Sequence, residues 1–304
     1  MRYRGRFAPS PTGPLHFGSL VAAVASWLDA RSRGGEWRVR IEDVDTTRTV
    51  PGAADQILRT LEAFGLHWDG EVVWQSRRVD LYEAALERLR SQGAVYRCRC
   101  SRKEVADSGL RGLEGAIYPG TCRALAIGAR IPGADRLGVT GMPIGFDDRV
   151  QGRVSQDVAA QIGDFVLKRR DGLHAYQLAV VVDDADQSIT DVVRGADLLL
   201  STPRQIVLQR MLGLSTPAYL HFPVAINECG EKLSKQTLAP AVDAQNAGEI
   251  LAGALRFLGQ PRPSSGDARA ILAEARASWD ASRIPPLVEL PVTPGGLENA
   301  PGSV

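Results

Sequence analysis

The 304-residue chain is 44% hydrophobic and 23% charged, enough apolar mass for a sizeable core and for two or three packed units. A formal net charge of +1 excludes a global basic field, and no run approaches the ~20 apolar residues that span a bilayer. Four cysteines, three of them clustered, suit a metal site under reducing conditions better than a disulfide framework.

In chain order, Arg4–Ala8 reads as a strand that runs into a turn of three prolines, two glycines and a lone histidine, His16. An Ala-rich helix follows, with Ser19 as its expected cap and Leu20, Val24, Trp27 and Leu28 on its apolar face. Trp37–Ile41 reads as the next strand, completing a βαβ unit. A second helix follows Pro51, with Ile57, Leu58, Leu61 and Phe64 on one face and Gly65 as its stop. A third is expected from about Asp80 to Arg90, ended by Gly93. From Tyr96 to about Ile162 the periodicity fades and Gly, Pro and Cys rise, which reads as an insertion. The sheet is expected to resume at Leu178–Val182, a run rich in valine that leads into Asp183-Asp184, before a helix opening at Ser201-Thr202-Pro203. Thr293–Val304 holds three Gly and two Pro in twelve residues and is expected to be disordered. The alternation of strands and helices argues for an α/β fold with a parallel sheet.

Three features carry chemistry. A Gly-rich turn feeding a helix N-terminus offers free N–H groups and the positive end of a dipole, which suits a phosphate. Far downstream stands Lys232-Leu-Ser-Lys235, which alone would be a solvated loop. The third is Cys98-Arg-Cys100, seventeen residues, then Tyr118-Pro-Gly-Thr-Cys122. Three thiols this close, with no fourth Cys and with His67 and His174 far off in sequence, leave a tetrahedral zinc one ligand short. Two buried cysteines beside a core tyrosine would be the plain alternative. Cys229 stands apart and is expected to be an ordinary buried thiol. Between Ser76 and Glu104, eight Lys or Arg face four Asp or Glu, either a nucleic-acid patch or a solvated helix face.

Taken together, the His16-Phe-Gly18 turn and Lys232-Leu-Ser-Lys235 resemble the HIGH and KMSKS motifs of class I aminoacyl-tRNA synthetases. Arg6-Phe-Ala-Pro-Ser10, Arg40-Ile-Glu-Asp-Val-Asp45 with Arg48, Tyr176 to Asp183, Val193-Arg-Gly-Ala-Asp197 and Lys232 to Gln236 narrow the resemblance to the glutamyl-Q tRNA(Asp) synthetases, truncated paralogues of glutamyl-tRNA synthetase. The resemblance covers roughly residues 4–260 and thins in the insertion and the tail. It implies a Rossmann-type catalytic domain in two halves, 1–95 and 163–225. A zinc-bearing insertion at 96–162 would separate them, with a KMSKS-like loop and short helical region at 226–292 and a tail at 293–304. It further implies activation of L-glutamate by ATP with Mg²⁺, without tRNA, and transfer of glutamate to the queuosine base in the anticodon of tRNA(Asp). A monomer in the cytoplasm is expected; Met1-Arg-Tyr-Arg4 does not lead into the apolar stretch of a secretory signal.

On this resemblance His16, Gly18, Ser19 and Lys235 would meet the nucleotide, with Lys232 the weaker catalytic candidate beside His16 and Lys235. Arg6 and Arg194 would hold the two carboxylates of glutamate, because a guanidinium fork grips a carboxylate bidentately. Glu42 would take the ammonium, and Ser10 and Tyr176 would orient the substrate. Asp43, Asp45 and Arg48 read as structural ion pairs. Cys98, Cys100, Cys122 and, as the fourth ligand, Tyr118 would hold one structural Zn²⁺. The rivals are a glutamyl-tRNA synthetase charging the tRNA 3′ end, a small-molecule adenylylating ligase or nucleotidyltransferase, and a non-catalytic zinc-bearing RNA-binding protein. Only 69 residues follow Lys235, fewer than a further anticodon-binding domain is expected to need.

Overall fold

The computed structural model describes residues 2–292 apart from 114, 126, 129–130, 142, 228, 234–239 and 265. Lys235 and the tail at 293–304 therefore lie outside the described residues. The first half runs β1 (Arg4–Phe7), α1 (Phe17–Ser32), β2 (Glu36–Ile41), α2 (Ala53–Ala63), β3 (Val73–Trp74) and α3 (Val79–Ser91). Then come β4 (Val95–Cys98), α4 (Arg102–Asp107), β5 (Arg111–Gly112), β6 (Gly115–Ala116), β7 (Ala134–Leu137), β8 (Ile144–Asp148) and β9 (Gly152–Gln156). After α5 (Val158–Gln161) and β10 (Phe165–Lys168) follow α6 (Tyr176–Asp186), β11 (Asp191–Gly195), α7 (Thr202–Met211), β12 (Ala218–Phe222) and β13 (Val224–Ile226). The chain closes with α8 (Ala247–Phe257), α9 (Ala268–Ser278) and β14 (Glu289–Pro291).

The central layer is parallel. β1 pairs with β2 and β2 with β3, all parallel, while β11 pairs parallel with β12 and β12 with β8. The two groups meet where the Thr190 N–H donates to the Arg4 carbonyl at 3.0 Å, so β1 runs beside β11. The strand order reverses between β1 and β11, and in open α/β sheets the crevice beyond the carboxyl ends of such strands is where ligands bind. Arg6 and the Pro9–Ser10 turn leave β1 there, and Arg194 leaves β11 there.

Around α1, β1 and β2 a core forms from Leu20, Val24, Leu28, Trp37 and Ile41, all fully buried, and it extends to Leu251, Ala254 and Ile271 of α8 and α9. The C-terminal helices thus pack on α1, which anchors the first half of the site. A second core joins Tyr82, Leu86 and Leu89 of α3 to Leu178 and Val180 of α6 and Ile206 and Leu208 of α7.

Three local expectations are corrected. Leu178–Val182 is not a strand but part of α6, whose residues 177–181 are buried. A five-residue apolar run carries too little periodicity to separate a buried strand from a buried helix. Packing on both sides outweighs the small helix penalty of its valines. Ser19 is not the cap of α1. His16 occupies that position, its Nδ1 accepting from the Ser19 N–H at 3.3 Å while Ser19 Oγ accepts from the His16 N–H at 2.9 Å. Cys229 is exposed, not buried.

The stretch expected as an insertion is more regular than its sequence suggests. Ser101 and Glu104 form a capping box that starts α4, and β5 and β6 make a small hairpin. Antiparallel β4, β7 and β10 form a sheet drawn from both sides of residue 162, and β8 joins the central parallel layer.

Candidate active site and metal centre

A cleft of about 590 Å³ opens at the strand-order reversal. Arg6, Ser10, His16, Gly18, Ser19, Glu42, Tyr176, Arg194 and Lys232 all line it, so residues spread over more than 220 positions of sequence converge on one place. At its mouth the N-terminus of α1 presents its first turn. Because His16 Nδ1 accepts the Ser19 N–H, the neutral ring carries its proton on Nε2, the donor an anion needs. Gly18 has a further role: a methyl there would come within 3.3 Å of both the Leu233 carbonyl oxygen and His16 Cε1. Glycine lets the turn and the Lys232 segment approach each other. The chain returns to the turn again beyond that segment, where the Val242 N–H donates to Leu15 O at 2.9 Å. Lys232 is exposed and paired with Asp197 at 2.6 Å.

The floor of the cleft is a charge network that sequence reasoning did not find. Arg6 is 4% exposed and donates through Nε to Asp184 Oδ1 at 3.2 Å. Fully buried Arg40 donates to the same oxygen at 2.8 Å, lies 3.3 Å from Glu42 Oε1 and 3.7 Å from Asp183 Oδ2. Asp183 in turn accepts from Gln75, Arg78 and Tyr82. Burial pushes the Glu42 carboxyl up, while Arg40 and then Arg6 pull it down, leaving a net upward shift. Asp184 is also buried, yet Arg6 and Arg40 hold it below the ordinary carboxylate range. The Asp183-Asp184 pair was visible in the sequence; only the helical state of α6 aims it at the two arginines.

Arg194, 5% exposed, is held differently. Its guanidinium donates to His221 Nε2 at 3.0 Å, Thr202 Oγ1 at 2.8 Å, Gln205 Oε1 at 2.8 Å, the Tyr176 hydroxyl at 3.3 Å and Leu198 O at 3.5 Å. His221 is fully buried with Nδ1 at 2.6 Å from Asp148 Oδ2, and its pKa falls to about 4 because burial, with nearby Arg194, outweighs the pull of Asp148. The Tyr176 phenol is raised by burial, against the opposing charge of Arg194.

Of the residues expected to be structural, Asp45 pairs with Arg48 at 3.0 Å and with Arg169 at 2.8 Å. Asp43 makes no such pair among the described residues: it accepts from the Ser76 N–H at 2.8 Å and the Ser76 hydroxyl at 2.6 Å. In the basic stretch, Arg78, Arg90 and Arg97 are tied to Asp183, Asp186, Glu83, Glu87 and Asp135, so much of its charge is compensated internally.

The thiols of Cys98, Cys100 and Cys122 lie within 4.8 Å of one another, away from the cleft. Cys100 Sγ is 3.6 Å from Cys122 Sγ and 3.8 Å from the Tyr118 hydroxyl. With Zn–S near ~2.3 Å, a tetrahedral site has ligand edges of roughly 3.8 Å, which these separations match. Without an ion, burial raises the Tyr118 phenol and lifts Cys100 to about 11. Burial opposes ionisation of Cys122 too, but hydrogen bonds from Tyr118 and the Arg99 N–H bring it down to about 7. The donor set therefore fits a thiophilic divalent cation, whose charge would supply the missing stabilisation of the anionic ligands.

A family model described as "tRNA synthetases class I (E and Q), catalytic domain" matches residues 2–114 and 136–254. The unmatched stretch between them contains Tyr118 and Cys122. The "Glutamyl-Q tRNA(Asp) synthetase" of Chromobacterium violaceum is 58% identical over 284 residues, spanning 93% of this chain and 95% of the relative. That of Dechloromonas aromatica is 59% identical over 288 residues, spanning 93% and 96%. Among solved structures, the glutamate-tRNA synthetase of Elizabethkingia anophelis superposes with a TM-score of 0.81 at 23% identity, over 98% of this chain and 69% of that one. A glutamate tRNA ligase from Elizabethkingia meningosepticum gives 0.79 at 24% identity, over 94% and 66%. These two likenesses bear on the fold, and they agree with its parallel sheet and crevice. With the sequence relatives covered nearly end to end and the family model matched across both halves of the sheet, the chain belongs to the glutamyl-Q tRNA(Asp) synthetase family of class I tRNA synthetases.

Proposed function

We propose that this ligase activates L-glutamate with ATP, without needing tRNA, and passes it to the queuosine base in the anticodon of tRNA(Asp). The observation that carries the first step is the cleft itself, where buried Arg194, surrounded by neutral partners, faces the N-terminus of α1 across the sheet crevice. The likeness to the named relatives, nearly end to end, supports the acceptor.

In this reading a glutamate α-carboxylate oxygen attacks the α-phosphorus of ATP, and the bond to pyrophosphate breaks. A hydroxyl of the acceptor base then attacks the adenylate carbonyl and AMP leaves. Catalysis of the first step is mostly positioning and electrostatic stabilisation. His16 Nε2–H and the first turn of α1 meet the phosphates, with Mg²⁺ held mainly by ATP oxygens. Lys235 follows the charge moving onto the leaving group, and Lys232, tied to Asp197, plays the lesser part. Arg194 with Tyr176 takes the side-chain carboxylate, Arg6 the α-carboxylate and Glu42 the ammonium, while Ser10 orients the substrate. Cys98, Cys100, Cys122 and Tyr118 would hold one Zn²⁺, a closed set that contributes folding energy and not chemistry. The working form is a cytoplasmic monomer.

Charging tRNA pools with labelled glutamate, with and without queuosine and with and without the 3′-terminal adenosine, tests the acceptor. Label that survives removal of that adenosine and vanishes from queuosine-free tRNA is the expected result. Label lost with the adenosine, or retained without queuosine, would return the chain to 3′-end charging.

A further inference from the structure

The buried arginines at and beneath the cleft divide into two kinds. Arg6 and Arg40 share the single Asp184 carboxylate, so part of their charge is already met within the protein. Among the described residues every hydrogen-bond partner of Arg194 is neutral: an imidazole nitrogen, two hydroxyls, a carboxamide oxygen and a backbone carbonyl. A buried guanidinium is costly unless paired, so its charge is kept for something that arrives.

We propose that His221 is the positioning residue that holds Arg194 in place without neutralising it, and that this pair sets the preference for a carboxylate side chain over a carboxamide. Rigid geometry supports this. The Arg194 Nε–H donates to His221 Nε2 at 3.0 Å, which requires that nitrogen to be unprotonated. The ring proton then lies on Nδ1, 2.6 Å from Asp148 Oδ2. Asp148 is itself pinned: its Oδ1 accepts from the N–H groups of Val150 at 3.0 Å, Gln151 at 2.9 Å and His221 at 3.1 Å. The carboxylate fixes the tautomer, the tautomer presents a lone pair, and the lone pair fixes the guanidinium plane. Thr202 and Gln205 complete the grip from α7.

The choice of acceptor matters. A carboxylate in the place of His221 would hold the guanidinium as well, but it would cancel the charge and repel an incoming carboxylate. An imidazole acceptor costs none of that charge. A substrate carboxylate entering the cleft becomes the first full counter-ion of Arg194, whereas a carboxamide of the same shape leaves the buried cation uncompensated. This inference rests on the reading that glutamate occupies the cleft.

The test combines glutamate-dependent ATP–pyrophosphate exchange with ¹⁵N NMR of the histidine rings in the full-length protein. In the wild type, His221 should show a protonated Nδ1 and a bare Nε2. His221→Ala should raise the KM for glutamate about 10-fold or more, leave the KM for ATP within about twofold, and narrow the preference for glutamate over glutamine. His221→Gln, whose carbonyl oxygen can stand near the lost Nε2, should recover most of the glutamate affinity. Asp148→Asn, whose N–H can face Nδ1 and drive the proton to Nε2, should mimic the alanine variant with the ring present. A wild-type ring protonated on Nε2, or a folded His221→Ala or Asp148→Asn protein with unchanged glutamate KM, would overturn the proposal. Should His221→Ala not fold, Asp148→Asn and the wild-type spectrum decide. Failure of the wild type to activate glutamate at all would be a different result: it removes the reading of the cleft, and this proposal with it.

Discussion

Replacing Arg194 by alanine removes a single cation from a buried position, and the consequence for glutamate can be worked from its surroundings. The guanidinium is 5% exposed and has no carboxylate among its hydrogen-bond partners in the described residues, so a substrate carboxylate would be its first full counter-ion. Removing one member of such a buried pair costs ~3–5 kcal/mol, because the other charge is left desolvated. At about 1.4 kcal/mol per decade, the loss for glutamate is roughly two to four decades in kcat/KM. The KM for ATP should change little, since the α1 N-terminus lies on a different element. Glutamine, which brings no side-chain charge, should lose far less, and the preference for glutamate should collapse. Pyrophosphate exchange with each amino acid, alongside a thermal melt to confirm folding, measures all three. A folded variant that loses less than about tenfold on glutamate would show that the side-chain carboxylate is met elsewhere, and the assignment of Arg194 would fail.

Lys235→Ala should lower the turnover of adenylate formation far more than it raises the KM for glutamate, because the charge it meets is largest in the transition state; a rise in the KM for ATP alone would make it a ground-state binder. Elemental analysis of protein purified without chelator should find close to one zinc per chain, with the metal lost in Cys98→Ser or Cys122→Ser and bound more weakly in Tyr118→Phe. Glutamate activation should largely survive those substitutions while transfer to tRNA suffers more, through Arg97, Arg99, Arg102 and Lys103 beside the metal loop; equal losses would refute that division. Acid should destabilise the fold through His221. Its pKa is about 4 in the folded chain against ~6.5 unfolded, so the unfolded state binds the extra proton. The contribution is fully present above about pH 6.5 and lost as the pH falls through 4, costing about 2 kcal/mol by about pH 5. Denaturant melts at about pH 7 and about pH 5 should show this loss in the wild type and not in His221→Gln, and identical losses would assign the effect to other groups.

Much of the site was legible because its chemistry is carried by unusual local sequence. A histidine among prolines and glycines before an Ala-rich helix, and a Lys-Leu-Ser-Lys segment far downstream, are each ordinary alone and become informative only as a pair that resembles two family motifs. The cysteine spacing announced three thiols one ligand short of a tetrahedral set, the resemblance supplied Tyr118, and the structure draws the three thiols and Tyr118 together. What was not legible lies in residues that look ordinary. His221 sits in an apolar strand, Asp148 ends another, and Gln205 and Thr202 open a helix; nothing in spacing or type marks them. Ser19 was mistaken for a cap because Ser favours that role, whereas the geometry of the turn gave it to His16.

By itself, then, the sequence determined the alternating α/β pattern, the phosphate-suited turn and the cysteine spacing, because each depends on residue type and near neighbours along the chain; the cations around the cleft were picked out only by the family resemblance. Tertiary structure alone decided that residues 178–182 form a helix, since burial on both sides and not β-propensity sets its state. It alone decided which arginine has its charge met within the protein. Arg6 and Arg194 are the same residue type in the sequence. One is partly compensated because α6 brings Asp184, shared with Arg40, to within 3.2 Å, and the other meets no carboxylate among the described residues because β12 brings a neutral imidazole to within 3.0 Å. Electrostatic roles depend on what lies across space, and that information exists only once the chain has folded.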